Sequence, residues 1–184
     1  ELPGNVSDEN RTKKIQEKIL KIKNDCNLIE EQRKNEISKI RCVALTIETK
    51  PDWCKEKEIN KSLELGTTRV ELGVQTLYDD ILKIINRGHS LNDTIEAIQL
   101  LKDSFLKTNF HIMPGLPNSN REKDLNVFKE LFENQIYRPD QLKIYPCMVM
   151  PGTPLYLQYK KGLFKPLTTS EAADIISEGK KYVE

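Results

Sequence analysis

The sequence has 184 residues, with 29 Lys and Arg against 28 Asp and Glu, so its formal net charge is +1. Hydrophobic residues make up 38% and charged residues 31%, a globular composition long enough for one domain with its own core. No apolar run approaches the ~20 residues of a membrane span, no signal-peptide pattern opens the chain, and the near-zero net charge removes the simplest argument for a nucleic-acid partner.

The chain opens on Glu1, and its three Met come late, at Met113, Met148 and Met150; this is the pattern expected of a processed or truncated piece. Cys26, Cys42, Cys54 and Cys147 are widely and irregularly spaced with no C-x-x-C. That spacing suits reduced thiols in a cytoplasmic protein better than a disulfide scaffold. It also offers no self-contained zinc or iron–sulfur site, so no metal ligands are assigned.

Residues 1–40 form a charged helical segment, with 9 basic and 8 acidic residues largely interleaved. Ser7-Asp8-Glu9 opens it, and Ile15, Ile19, Leu20 and Ile22 keep helical spacing. Residues 41–184 have a different texture. Cys42 to Ile47 is a short apolar run, as in a strand buried on both faces. A turn through Pro51-Asp52 leads to a helix carrying Ile59, Leu63 and Leu65, closed by Gly66. Arg69 to Gln75 is a second strand, and Tyr78 to Asn86 a helix that Gly88 breaks.

Ser90 caps a further helix with Asp93 at the third position and Leu91, Ile95, Ile98 and Leu101 on its face. Lys107 to Met113 is a third strand, ending in Pro114-Gly115-Leu116-Pro117. Ser119 and Glu122 read as a capping box for a helix through Leu125, Phe128 and Phe132. Gln141 to Cys147 is a fourth strand, and Thr168 with Glu171 opens a final helix to Tyr182. Strand–helix alternation with crossover-length helices predicts an α/β fold with parallel strands. Four strands in 184 residues fall short of a closed TIM-like barrel of about 250 residues, so an incomplete (β/α) barrel is expected.

Working residues of parallel α/β proteins lie just past the carboxyl ends of strands. Those positions hold Glu48, Gln75, His111 with the Gly115 turn, and Lys143 with Tyr145; Arg87 and His89 follow the second strand. Each also has a plainer reading. Glu48 suits an exposed strand-end carboxylate, Gln75 a group satisfying backbone, and Arg87 with His89 a cation pair at a helix C-terminus. His111 suits a satisfied structural histidine, the Gly115 segment a simple turn or a phosphate loop, and Trp53 packing. From Gln141 to Ser170 there is no Asp or Glu, while Lys143, Lys160, Lys161 and Lys165 lie there with Tyr145, Tyr156, Tyr159 and Phe164. Cations among aromatics suit phosphate contact with base stacking, or a plain solvated surface.

Four strings carry a family resemblance: RCVALTIETKPDWC, TTRVELGVQTLYDDILKIINRGHS, HIMPGLPNSNREKDL and RPDQLKIYPCMVMPGTPLY. In this order and spacing, from about Arg41 to Val183, they resemble the Elongator protein 3 family, whose members modify the wobble uridine of transfer RNA. The Lys, Asn and Ile content suits an archaeal or other AT-rich source. The resemblance implies a radical S-adenosylmethionine (SAM) barrel of six strands. A cysteine-held [4Fe–4S] cluster would reduce SAM to a 5′-deoxyadenosyl radical, and that radical would act on the acetyl group of acetyl-CoA to place a carboxymethyl group at uridine C5.

In that family the cluster cysteines and a glycine-rich motif precede the strand near Arg41, and an acetyltransferase domain follows the barrel. This chain is therefore expected to carry the middle strands of the barrel and to be inactive alone.

By the same resemblance, and by the G-V-Q…R-G-H pattern shared with oxygen-independent coproporphyrinogen oxidases, Gln75 would contact the SAM ribose and Arg87 its carboxylate. Glu48 would lie beside the cofactor and Gly115 close to the adenine. His111 stands where the oxidases have Asp and would face cofactor or substrate. Lys143 and Tyr145 would face the cavity near acetyl-CoA or uridine, and Lys160, Lys161 and Lys165 would touch transfer RNA. The implied partners are transfer RNA and other Elongator subunits or a second copy, with no membrane. A non-catalytic module binding transfer RNA or a subunit is the alternative.

Overall fold

The computed structural model describes residues 9–23 and 25–183. They divide into two units, one ending at Val43 and the other beginning at Ala44. The expected helix opening at Ser7 and Asp8 lies outside the described residues.

The first unit holds α1 (Glu9–Ile22) and α2 (Leu28–Ile37), neither with a buried residue. Asn27 separates them as the N-cap of α2: its side-chain oxygen accepts from the N–H groups of Ile29 at 3.0 Å and Glu30 at 3.4 Å. The chain after α2 is tied back by the Asn35 amide, which donates to the Cys42 carbonyl at 2.9 Å and accepts from the Cys42 N–H at 2.8 Å.

The second unit is an open four-stranded sheet, β1 (Thr46–Thr49), β2 (Arg69–Gln75), β3 (Lys107–Ile112) and β4 (Gln141–Ile144), in spatial order 1-2-3-4 with every pair parallel. Between the strands run α3 (Glu56–Glu64), then α4 (Asp79–Ile84) and α5 (Leu91–Asp103), then α6 (Arg121–Glu133). After β4 come α7 (Pro154–Lys160) and α8 (Thr169–Gly179). A strand order that never reverses, with right-handed crossovers, keeps the crossover helices on one face, as in a barrel wall.

The residues obey that division. Val70, Leu72, Val74, Phe110 and Ile112 form one core with Ile59 of α3, Ala97, Ile98 and Leu101 of α5, and Val127 and Leu131 of α6. Glu71, Asn109 and His111, the alternate residues, belong to the opposite, polar face. Beyond the sheet, Gly179 of α8 is so close to α6 that a Cβ there would lie 2.6 Å from the Phe128 ring.

Two capping expectations hold: Ser90 with Asp93, and Thr168 with Glu171, form reciprocal capping boxes on α5 and α8. Four details differ. β1 is neither buried on both faces nor placed at Cys42 to Ile47. It is an edge strand of alternating exposure over Thr46–Thr49, paired with β2 alone, and Val43, which precedes it, is 81% exposed. The cap of α6 is Asn120, which accepts from the Lys123 N–H at 2.8 Å. Ser119 instead donates its hydroxyl to the buried Asp124 at 2.6 Å.

Trp53 is 64% exposed rather than packed, since a 3-10 turn over Pro51–Trp53 buries Pro51 in its place. α7 was unforeseen, although Thr153 before Pro154 is a readable helix start. None of the four cysteines forms a disulfide; Cys26 and Cys42 are exposed, Cys54 and Cys147 buried. No described helix is long and apolar enough to cross a membrane.

Two stability outcomes follow from this packing. Phe110 is fully buried at the centre of the sheet, so Phe110→Ala is expected to cost about 3–5 kcal/mol in urea unfolding, and Val43→Ala, at an exposed site, almost nothing. Asp93 is held well below the usual carboxylate range, first by the Ser90 backbone and hydroxyl and then by Lys55. A depressed carboxylate stabilises the fold above its unfolded pKa and loses that contribution as pH falls through the folded value. Asp93→Asn should therefore lose about 1 kcal/mol at neutral pH and flatten the acid limb of stability plotted against pH.

Candidate functional site

The polar face of the sheet centres on Glu71 in β2. Strand alternation turns it away from the helices, next to His111 of β3 and near Lys143 of β4, which is the register partner of His111. The Glu71 carboxylate is 7% exposed. It accepts a hydrogen bond from the Lys143 ammonium. It also lies 3.0 Å from His111 Nε2 and 3.4 Å from the donating Asn109 amide. The bond from Lys143, and then that from His111, holds Glu71 below the usual carboxylate range, and Glu71 in turn raises Lys143.

His111 Nδ1 lies 3.5 Å from the Glu48 carboxylate at the open edge of β1, and the Tyr145 ring meets His111 edge-on at 5.4 Å. Glu48, Glu71 and His111 are the one group of such side chains, among the described residues, close enough to share a cation. Lys143 already brings positive charge to it.

A second cluster forms at the carboxyl end of β2. The β2–β3 register slips between Leu72 and Gln75, and Gln75 has φ 69°, a left-handed backbone that a non-glycine residue adopts at a cost of about 1 kcal/mol or more. The kink re-aims the Gln75 side chain, whose Oε1 is buried without a hydrogen-bond partner. Arg87 lies across Gly73: its guanidinium donates to the Gly73 carbonyl at 3.2 Å, and a Cβ on Gly73 would sit 2.4 Å from that nitrogen. Arg87 Nε is buried without a partner.

His89 is 6% exposed, and among the described residues neither ring nitrogen has a hydrogen bond of good geometry, although the Val74 backbone lies close to the ring. Burial first, and the neighbouring Arg87 second, push its pKa down, so the imidazole is neutral. This overturns the reading of Arg87 and His89 as a cation pair at a helix C-terminus: α4 stops at Ile84, and His89 is buried and uncharged. Lys50 braces the segment, bonded to Asp52 at 2.9 Å and to the Arg87 carbonyl at 3.3 Å.

The Gly115 turn has φ 77°, and the carboxylate of Asp124 accepts its N–H at 2.8 Å. Its tight neighbour is Leu167, 2.6 Å from a built Cβ, so glycine is needed there for packing within the chain. Lys160 and Lys161 at the end of α7, and Lys165 in the loop beyond it, are exposed. Lys160 lies over the Tyr156 ring at 5.6 Å, and no hydrogen bond joins the three to the polar face among the described residues. Glu48, His111, Lys143 and Tyr145 thus come together, and Gln75 and Arg87 form the neighbouring cluster. Glu71, Asn109 and Asp124 were missed by sequence reasoning. The one signal for Glu71 was a charge flanked by Val70 and Leu72 inside a strand.

The described cysteines do not fit an iron–sulfur cluster. No group of ligand-bearing side chains within sharing distance includes a cysteine. Burial pushes the Cys54 thiol up to about 12 and raises Cys147 as well, against the thiolate a cluster requires. The unpartnered buried atoms of Gln75, Arg87 and His89 around Gly73 do fit an organic ligand with a carboxylate and hydroxyl groups.

Comparison with known proteins gives the family. A tRNA uridine(34) acetyltransferase of Methanocaldococcus infernus is 57% identical over 85% of this chain, and human Elongator complex protein 3 is 40% identical over 82%. The chain spans 29% and 28% of the lengths of these two relatives. The solved structure of the archaeal M. infernus Elp3 with an N-terminal deletion superposes with a TM-score of 0.85 at 54% identity, covering 88% of this chain and 38% of that one. Coproporphyrinogen III oxidase (HemN) of Escherichia coli, at 17% identity and TM-score 0.61, shares the fold. The Radical_SAM C-terminal domain matches residues 139–184. With the Radical SAM superfamily matching residues 4–131, which include β1 to β3 and the cluster at the end of β2, the chain belongs to the radical SAM superfamily.

Proposed function

We propose that this chain is the part of a tRNA-modifying radical SAM enzyme that faces cofactor and substrate, and that the enzyme builds a carboxymethyl group on C5 of the wobble uridine from acetyl-CoA. The observation that carries this reading is the cluster at the end of β2. Gln75, Arg87 and His89 bury polar atoms that lack partners among the described residues, and the Arg87 guanidinium lies where a Cβ on Gly73 would stand. Buried orphans of this kind are costly unless a ligand completes them.

In this reading Arg87 takes the SAM carboxylate, Gln75 takes a ribose hydroxyl, and Glu48 and the Gly115 turn border the same ligand. SAM supplies the adenosyl group for hydrogen abstraction once an electron reaches its sulfonium. Lys143, Tyr145 and His111 face the acyl donor and the base. The [4Fe–4S] cluster is assigned to ligands other than the described cysteines. The names of the relatives, a tRNA uridine(34) acetyltransferase and Elongator complex protein 3, support transfer RNA as the substrate and other Elongator subunits as partners. Four cysteines without a disulfide suit the cytoplasm.

Calorimetric titration of the chain with SAM tests the cofactor site. Arg87→Ala combined with Gln75→Ala is expected to weaken binding about 10-fold or more, the value of a charge-assisted hydrogen bond. Arg87→Lys should not restore it, because an ammonium lacks the guanidinium fork. Unchanged affinity in the double variant would remove the site.

The basic stretch generates a separate expectation. Lys160→Glu with Lys161→Glu should weaken transfer RNA binding and lower the slope of log affinity against log salt by about 2. An unchanged slope would take α7 out of the interface.

A further inference from the structure

Glu71 has no role in the function proposed above, yet it is the most deeply placed charge on the polar face. Its carboxylate meets three donors from two other strands: Asn109 and His111 of β3 and Lys143 of β4. An ionised carboxylate is acceptor-only, so His111 must present Nε2–H to it. The other ring nitrogen, Nδ1, lies 3.5 Å from the Glu48 carboxylate. Lys143 has three ammonium protons and gives one to Glu71, while its side chain stays 42% exposed. Two carboxylates, Glu48 and Glu71, outnumber the one ammonium here, so a phosphate would meet net repulsion. A neutral carbonyl oxygen would meet a fixed N–H donor.

We propose that Glu71 is the positioning residue of the polar face: it orients the His111 ring through Nε2–H and pins Lys143 as a hydrogen-bond donor for a neutral carbonyl group, such as a thioester or a pyrimidine ring oxygen, in place of a mobile cation for phosphate. This rests on the function proposed above for the identity of the carbonyl. The supporting electrostatics agree with the geometry, since Glu71 is lowered by Lys143 and Lys143 is raised by Glu71.

The experiment reads the two partners of Glu71 in the chain itself. Competitive acetylation of amines with acetic anhydride, resolved by peptide mass spectrometry, reports the free-amine fraction of Lys143 as a function of pH. Glu71→Gln keeps the shape and removes the charge. It should move the midpoint of Lys143 labelling to lower pH and speed labelling at neutral pH by about threefold or more, with Glu71→Asp partly restoring the wild-type profile. The chain holds only two His, so the hydrogen-bonded His111 N–H is assignable in the proton spectrum. It should persist in Glu71→Gln, whose carbonyl still accepts, and vanish in Glu71→Leu.

An unchanged Lys143 profile in Glu71→Gln overturns the proposal. So does a His111 N–H that survives in a folded Glu71→Leu. If Glu71→Leu fails to fold by circular dichroism, the Glu71→Gln labelling profile decides alone. None of these readings needs SAM or a cluster. A chain that fails to bind SAM but shows both effects therefore overturns the proposed function and leaves the role of Glu71 standing.

Discussion

A carboxylate shielded from water on the polar face of a parallel sheet must find its partners within the sheet, and Glu71 finds a hydrogen-bond donor one strand away in His111 and a counter-charge two strands away in Lys143. Much else on this face follows from that need. An isolated buried carboxylate would be driven to take up a proton; here the donors keep it ionised. The same bonds hold β4, an edge strand of four residues, in register with the sheet interior. They also dictate which side of the His111 ring can meet a ligand. One interaction thus ties sheet register to the chemistry offered at its surface.

The second cluster obeys a different constraint, set by space. Gly73 leaves room for the Arg87 guanidinium to lie directly on the backbone of β2. The register slip after Leu72 and the left-handed Gln75 lift the next side chain to the same level. Neither feature improves the sheet: a glycine in a strand interior and a positive φ at Gln75 both cost stability. Their joint result is a strand end where a guanidinium, an amide and an imidazole meet, with Arg87 Nε, Gln75 Oε1 and both His89 nitrogens lacking partners among the described residues. Stability given up at such a point is usual where a backbone must admit a ligand.

The parts of this arrangement that sequence made legible are those governed by local rules. The capping boxes at Ser90 and Thr168, the apolar alternation of β2, and the strand–helix rhythm all depend on neighbours a few residues away. What was lost depended on tertiary position. The run from Cys42 to Ile47 has the composition of a buried strand, but β1 has a partner on one side alone, so its register moved and half of its residues stayed exposed. Ser119 looked like a helix cap until the buried Asp124 claimed its hydroxyl.

At the site, strand ends pointed to Glu48, Gln75, His111 and Lys143. Glu71, two residues before Gly73 and far from a strand end, was overlooked because only the pairing of β2, β3 and β4 brings its donors together. His89 and Arg87, which read as a cation pair at a helix C-terminus, lie instead beyond the end of α4, His89 buried and Arg87 half-buried, and burial lowers both groups.

Charge is also segregated in a way that bears on how a nucleic acid could approach. The polar face carries two carboxylates beside one ammonium, and that ammonium is already committed to Glu71. The stretch from Gln141 to Ser170 has no acidic residue, and its other lysines, Lys160, Lys161 and Lys165, lie on or after α7 with Tyr156 under one of them. A polyanion gains from exposed cations and loses near unpaired carboxylates. Under the proposed function, phosphate contacts therefore fall to α7 and the loop beyond it, while a single uncharged base is the part of a transfer RNA that the polar face can accept. Backbone affinity and base selection would then reside in different elements, separated along the chain by the turn at Pro151-Gly152, and a substitution in one should leave the other measurable.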